Sequence, residues 1–378
     1  MANNVCNFGA VGDGISDDTI SIQNAINDAQ AQGRPVFLPA GEYRITKTLT
    51  IERDVDLFGE DSNLCSITHD LRDFNENYRR LNATCIRVDN TPNGERTQKA
   101  PYVTLRRFRI STSEPRLILG DPERQTGIFI RGGFWNCIIR DVVVQDFFQG
   151  IYLRQCWTAR IQNCSIERSL LHCLKWENAT AGEITGCRLD CISGSISTNQ
   201  GNACAFVTFD HVDCRDETIA LSVANNAFQQ SERAGFYGRG IGNVTFTNNF
   251  FEGNNRAKIA STAALHLDND PGTPKEKLPP QCIKKDTPET LYHQQRVVNI
   301  IGGFFTPGGH GGGTAIKIGN YEVINIMGVD IRGSDFSKSI DLTGKNSKVN
   351  LVGVHAELPY SIRSQTPEIQ NSLLGQKV

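Results

Sequence analysis

A hydrophobic triplet recurs along the middle of the chain. Ile128-Phe129-Ile130 is followed by Ile151-Tyr152-Leu153, Leu174-Lys175-Trp176, Ser195-Ile196-Ser197 and Ile219-Ala220-Leu221. The positions Ile128, Ile151, Leu174, Ile196 and Ile219 advance by 22 or 23 residues. Such a step marks a repeat architecture, in which a unit buries its inner face only against its neighbours. A second apolar element keeps time between the triplets: Ile139-Arg140-Asp141, Ile161-Gln162-Asn163, Ile184-Thr185-Gly186 and Phe209-Asp210-His211, with later copies at Phe246, Ile300, Ile326 and Leu351. Short alternating runs bounded by Asn and Gly read as strands. No helical spacing fits between them. The pattern predicts an all-β chain, a single-stranded parallel β-helix occupying residues 1–378 as one domain.

The N-terminus has a different pattern. Residues 7–59 read NFGAVGDGISDDTISIQNAINDAQAQGRPVFLPAGEYRITKTLTIERDVDLFG. Gly12-Asp13-Gly14 is a tight turn, Ser16 or Asp17 suits a helix N-cap, and Asp17 and Asp18 suit the positive end of a helix dipole. Ile22, Ala25, Ile26 and Ala29 make one apolar face, and Gly33 ends the helix. Such a short helix caps the open end of a solenoid, which otherwise exposes strand edges. This stretch resembles the N-terminal signature of the pectate-lyase-like superfamily of right-handed β-helices, which includes polysaccharide-acting enzymes and phage tailspikes. The resemblance implies a right-handed coil and an N-terminal cap over 7–59, and it does not choose a reaction. Asp13, Asp17 and Asp18 read as turn and cap residues.

The period fails twice. The distance from triplet to second strand is about ten residues in regular coils, but Ile219 to Phe246 and Leu265 to Ile300 are much longer. Residues 224–242 and 268–296 are therefore expected as loops inserted at one corner, walling a groove or making a subunit contact. The first of them has an alternative reading as an irregular extra coil.

Composition narrows the class. Net charge is −2, so bulk charge suggests no nucleic-acid partner. The glycine run Gly308–Gly313 lacks the Lys and Ser/Thr of a phosphate loop. The 12 cysteines fall largely at repeat positions, which suits a ladder of small buried thiols better than a disulfide framework. No apolar segment is long enough for membrane insertion, and no signal peptide is visible. An extracellular or virion-associated setting is expected, with a homotrimer as one arrangement.

The repeat also aligns columns of outward side chains, since alternate residues face opposite sides. The triplet column is Phe129, Tyr152, Lys175, Ser197, Ala220, His266, Lys317 and Asp341. Tyr152 followed by Lys175 suits a sugar ring and an acidic substituent. Trp157, Arg154, Arg215, His266 and Asp268 complete the expected substrate-binding set. A second column is acidic, with Gln145, Glu167, Asp190, Arg215 and Glu252 in sequence and Asp216 and Glu217 close by. Paired carboxyls are what glycoside hydrolysis uses. Asp216-Glu217-Thr218-Ile219-Ala220-Leu221 resembles the polygalacturonase stretch in which paired aspartates precede an Ile-Ala-Ile strand. Glu217 replaces the second Asp, no Asn-Thr-Asp precedes it, and Gly309-His310-Gly311 stands too far along. The usual polygalacturonase machinery is therefore not expected.

The leading expectation is a polysaccharide-degrading glycoside hydrolase with Asp216, Glu217, Asp190 and Glu167 as catalytic carboxylates and no cofactor. One alternative is a polysaccharide lyase acting on a uronic-acid polymer, using Lys175, Arg154 or Arg215 and Ca²⁺ held by the acidic column. Another is a tailspike-type glycan-binding protein, with or without depolymerase activity.

Overall fold

The structure is a computed structural model. It describes residues 1–72, 83–89, 102–113, 126–132, 137–177, 181–191, 203–208, 220–259, 261–268, 273–274, 290–291, 297–309, 311–370 and 372–375. The described chain is all-β and coils as a parallel β-helix, with one α-helix, Thr19–Gln32. Ile22, Ala25, Ile26 and Ala29 are fully buried on that helix, and Gly33 closes it in the left-handed region at φ 64. The N-cap is Asp18, one residue beyond the expected position. Its carboxylate does not cap the helix but accepts from the Val11 and Gly12 amides at 2.7 and 3.1 Å. Asp17 accepts from the Thr19 amide and from the Thr46 hydroxyl, so these acids lock the cap.

Contacts divide the chain into two units: Met1–Trp176 with Glu183–Cys204, and Glu177–Gly182 with Ala205–Val378. In the first unit each regular coil has three strands. Thr126–Arg131 and Gln149–Arg154 belong to one series, with Ile128 beside Ile151. Cys137–Arg140, Arg160–Gln162 and Gly182–Thr185 belong to the second, with Ile139, Ile161 and Ile184 stacked. Val143–Gln145, Ser165–Ser169 and Arg188–Cys191 form a third, with Ile166 on Leu189. This third strand is too short and polar to stand out from a turn in the sequence. The bend between second and third strands is left-handed: Asp141, Asn163 and Gly186 have φ 56, 51 and 64. Only Gly, and at lower cost Asn or Asp, enters that region readily, which explains why Asn and Gly recur there.

The second unit repeats the three series and corrects two expectations. Residues 224–242 are not an inserted loop. They hold strands Ala227–Gln229 and Ala234–Arg239, which pair with Phe250–Glu252 and Ala263–Asp268, so this stretch is a coil. Ile219-Ala220-Leu221 is not a member of the triplet column. Strand Ala220–Ala224 belongs to the second series, with Leu221 beside Val244 and Val223 beside Phe246. Ala205-Phe206-Val207 carries the buried–half-buried–buried pattern of the triplet instead. An alternation of period two has the same appearance in either series, so a fixed step does not reveal the change of phase. Within 268–296, Thr273–Pro274 pairs antiparallel with Thr290–Leu291; most of that expected loop lies outside the described residues, as does Ser195-Ile196-Ser197.

The interior of the first unit includes thiols and imidazoles. Among the described residues ten cysteines are free, and all except Cys6 are buried. Cys191 Sγ lies 3.6 Å from Cys173 Sγ and 3.5 Å from Cys204 Sγ. His69 is fully buried, and neither ring nitrogen has a hydrogen-bond partner among the described residues. Burial pushes its pKa from 6.5 down to about 4 against the pull of Asp70. His172 is pushed to about 3 by burial and then by Lys175. Both fold as neutral rings while the unfolded chain takes up their protons near pH 6.5. Their contribution to stability is therefore full above pH 6.5 and is lost as pH falls toward 4. Thermal melting should weaken across that window, and His69→Leu should flatten the slope without destabilising the protein at pH 8. An unaltered slope would remove His69 from this account.

Candidate functional site

The outward column of the first unit is not the exposed platform expected of it. Phe129 packs edge-on against Tyr152 at 5.2 Å, Arg87 covers Phe129 at 4.7 Å, and the Lys175 ammonium covers Tyr152 at 4.5 Å. Both rings are buried, which corrects the expected role of Tyr152 as a stacking surface. Arg154 stands on the same face, beside Arg131 on the preceding coil. Trp157 is half-buried just after that strand.

Glu167 and Asp190 are brought together as expected, in register on adjacent coils of the third series. Both are held by arginine. Arg188 lies 2.8 Å from Asp190 and 3.8 Å from Glu167, and Arg168 lies 3.7 Å from Glu167. Gln145 donates to Glu167 at 3.0 Å, and Ser165 donates to it as well. Burial pushes the Glu167 carboxyl up, but these hydrogen bonds and arginine charges together hold it below its usual range. Burial raises Asp190 above its usual range in spite of Arg188. Asp216, Glu217 and Arg215 lie outside the described residues. Among those described, no group of three His, Cys, Asp or Glu side chains is placed to hold a metal ion.

A denser set of chemistry stands in the second unit. Parallel register stacks Tyr237, His266, Lys317 and Asp341 on successive coils. Phe206 extends the column, its ring stacked on Tyr237 at 5.2 Å and 20°. Tyr237 meets the His266 imidazole edge-on at 5.1 Å. All five side chains are half-buried. Burial lowers His266 from 6.5 to about 4; Lys317 adds to this and Asp341 opposes it. The ring is therefore neutral at pH 7 and able to accept a proton. Thr262 Oγ1 sits 3.4 Å from its Nδ1 and helps to orient it. Burial, with Asp268 adding and Arg239 opposing, raises the Tyr237 pKa, so the phenol stays protonated. Lys317 donates to the Ser261 carbonyl at 3.0 Å. Asp341 lies 3.7 Å from Lys338, and its Oδ1 is buried without a partner among the described residues. Asp268, expected at the mouth of a loop, ends the His266 strand in register with Arg239. The sequence placed His266, Lys317 and Asp341 in one column. It missed Tyr237 and Arg239, which sit in the stretch read as a loop. The signal was available in Phe236-Tyr237-Gly238, a triplet with a glycine in its last position.

Residues 2–127 match the family described as rhamnogalacturonase A/epimerase, pectate lyase-like. Mannuronan C5-epimerase AlgE1 of Azotobacter vinelandii is 49% identical over 67 residues, which cover 16% of this chain and only 5% of that protein. Among solved structures, PfbA, a surface adhesin of Streptococcus pneumoniae, superposes with a TM-score of 0.67 at 14% identity, covering 100% of this chain and 90% of its own. The catalytic unit of a thermostable GH87 alpha-1,3-glucanase from Streptomyces thermodiastaticus gives 0.60 at 14%, covering 99% and 63%. The Dettilon tailspike protein gives 0.56 at 14%, covering 97% and 68%. At such identities the three structures bear on the fold alone. The coiled architecture is that of a parallel β-helix, and residues 2–127, with the capping helix, are similar to the pectate-lyase-like family.

Proposed function

We propose that the chain is a polysaccharide-acting enzyme whose substrate contains hexuronate residues, and that it removes the proton at C5, beside the carboxylate. The observation that carries this reading is the Tyr237–His266–Lys317–Asp341 column, with Arg239 and Asp268 beside it. A proton next to a carboxylate leaves only when the developing charge is met by cations. Lys317 and Arg239 supply them. Neutral His266 takes the C5 proton, and the protonated Tyr237 phenol is the matching acid. If the phenol returns a proton to C5 from the opposite face, the sugar is epimerised. If the C4–O4 bond breaks and the phenol protonates the departing oxygen, the chain is cleaved with an unsaturated end. The similarity to a mannuronan C5-epimerase supports the shared first step. An extracellular or virion-borne setting is part of this proposal.

Glycoside hydrolysis is the second reading, favoured by one observation: Glu167 and Asp190 are neighbours whose pKa values move in opposite directions. Such divergence separates a base or nucleophile from an acid. A panel of uronate and neutral polymers, with mass analysis of the products and a chelator arm, separates the two. The proposal expects epimerised or unsaturated uronates; new saturated reducing ends on neutral glycans would overturn it in favour of hydrolysis.

A further inference from the structure

We propose that Asn255 is a positioning residue of the site in the second unit: it clasps the stretch that carries Ser261 and Thr262, so that the Thr262 hydroxyl keeps the ring proton of His266 on Nδ1 and leaves Nε2 as the base. The proposal rests on the C5-proton reading of that site. Asn255 is fully buried. Both ends of its side-chain amide are engaged by backbone, as burial of an amide requires. Oδ1 accepts from the Ile259 amide at 3.0 Å, and Nδ2 donates to the Ile259 carbonyl at 3.1 Å and to the Gly312 carbonyl at 3.2 Å. The Lys258 amide donates to the Asn255 carbonyl at 2.9 Å, and the Thr262 amide donates to the Ile259 carbonyl at 3.2 Å. Ile259 is thus gripped at its amide and its carbonyl, and that carbonyl in turn holds Thr262. Just beyond the grip, Ser261 offers its carbonyl to the Lys317 ammonium at 3.0 Å, and Thr262 places its hydroxyl oxygen 3.4 Å from His266 Nδ1.

The backbone is shaped around the clasp. Asn255 has φ 55, a left-handed conformation that Asn enters more readily than most residues with a side chain. Gly313, at φ 72, faces it, and a Cβ there would overlap Asn255 Nδ2. The end of the glycine run, which has no phosphate-loop chemistry, is therefore the seat of this side chain. The tautomer follows from the reaction. A hydroxyl either donates or accepts, so the Thr262 contact suits a proton on either ring nitrogen. Buried Thr262 occupies Nδ1 and leaves Nε2 to a substrate. A neutral ring that takes the C5 proton at Nε2 carries its own proton on Nδ1, and Thr262 Oγ1 is then the acceptor. The proton leaves C5, its bonding pair stays on the sugar beside the carboxylate, and the imidazolium so formed still donates from Nδ1 to Thr262.

The test uses the full chain with nitrogen-15 histidine, without substrate, at pH 8, and reads the ring nitrogens by nuclear magnetic resonance. His266 is assigned by the signals lost in His266→Gln. The proposal expects a protonated Nδ1 and a bare Nε2 in the wild type. Thr262→Val should move the proton toward Nε2, and Thr262→Ser should restore it. Asn255→Gly keeps the left-handed backbone without strain and should reproduce the change seen in Thr262→Val. With a uronate polymer, kcat should fall roughly 10–10²-fold in Asn255→Gly and in Thr262→Val, as misplacement of a reacting group does, with KM within about twofold of the wild type. A proton on Nε2 in the wild type would overturn the proposal. So would a lower melting temperature in Asn255→Gly with the His266 signals unmoved, the mark of a purely structural clasp. Failure of the C5-proton reading is a separate result, read as lack of turnover by the wild type whatever the tautomer.

Discussion

Replacing His266 with Gln should lower turnover of a uronate polymer by ~10²–10⁴-fold, the usual contribution of a positioned general base. Tyr237→Phe should cost a comparable factor, because it removes the acid and leaves the stack on Phe206 and His266 intact. The pH profile gives a sharper check. His266 is held down to about 4 by burial first and Lys317 second. The acidic limb of kcat/KM should therefore fall near pH 4 and not near the 6.5 of an ordinary imidazole. Lys317→Met removes one of the two causes, so the limb should move toward higher pH while kcat also drops through the loss of a cation. A limb that stays in place in Lys317→Met would detach His266 from the base role. Full activity in His266→Gln would end the site assignment.

The largest stability effect should come from Phe251. This ring is buried in the second unit, stacked on Phe228 at 4.9 Å and on Phe305 at 4.5 Å with 3° between planes. Phe251→Ala should cost about 3–5 kcal/mol, as truncation of buried aromatic rings does. The upper half of that range is expected, because the strand ladder holds the flanking rings a coil apart and limits collapse into the gap. Phe250 is the internal control. It stacks on Phe304 at 5.8 Å on the half-exposed outer side, and Phe250→Ala should cost about 1 kcal/mol. Urea denaturation measures both. Equal losses would contradict the assignment of inner and outer faces.

That assignment was legible in the sequence wherever the coil length stayed constant. From Ile128 to Leu174 the step of 22 or 23 residues predicts the register found, Ile128 beside Ile151 and Ile139 beside Ile161. The helix face and its closing Gly33 were legible for the same reason, since spacing alone decides them. Past Leu174 the coils lengthen. Strands of two series share one alternation, so Ala220-Leu221 matched the 23-residue step while belonging to the other series. The consequence reached the site. With Ala220 taken as a column member, Tyr237 was hidden, and a column of Tyr, His, Lys and Asp read as a His and a Lys separated from the aromatics. Exposure was a second blind spot. A triplet's middle residue faces away from the coil interior, but sequence does not say what covers it, and Phe129 and Tyr152 proved buried. The carboxylate pair Glu167 and Asp190 was found by counting, whereas the arginines that hold it come from register and side-chain reach.

The central claim is that the Tyr237–His266–Lys317–Asp341 column takes the C5 proton of a hexuronate. The most direct measurement is nuclear magnetic resonance of polymannuronate incubated with the protein in deuterated water, followed in parallel by ultraviolet absorbance. The account predicts deuterium at C5 of inverted residues, or an unsaturated non-reducing end, with the wild-type chain, and neither with His266→Gln. Cleavage that leaves C5 protonated and both new ends saturated, at equal rates in the two proteins, would contradict it.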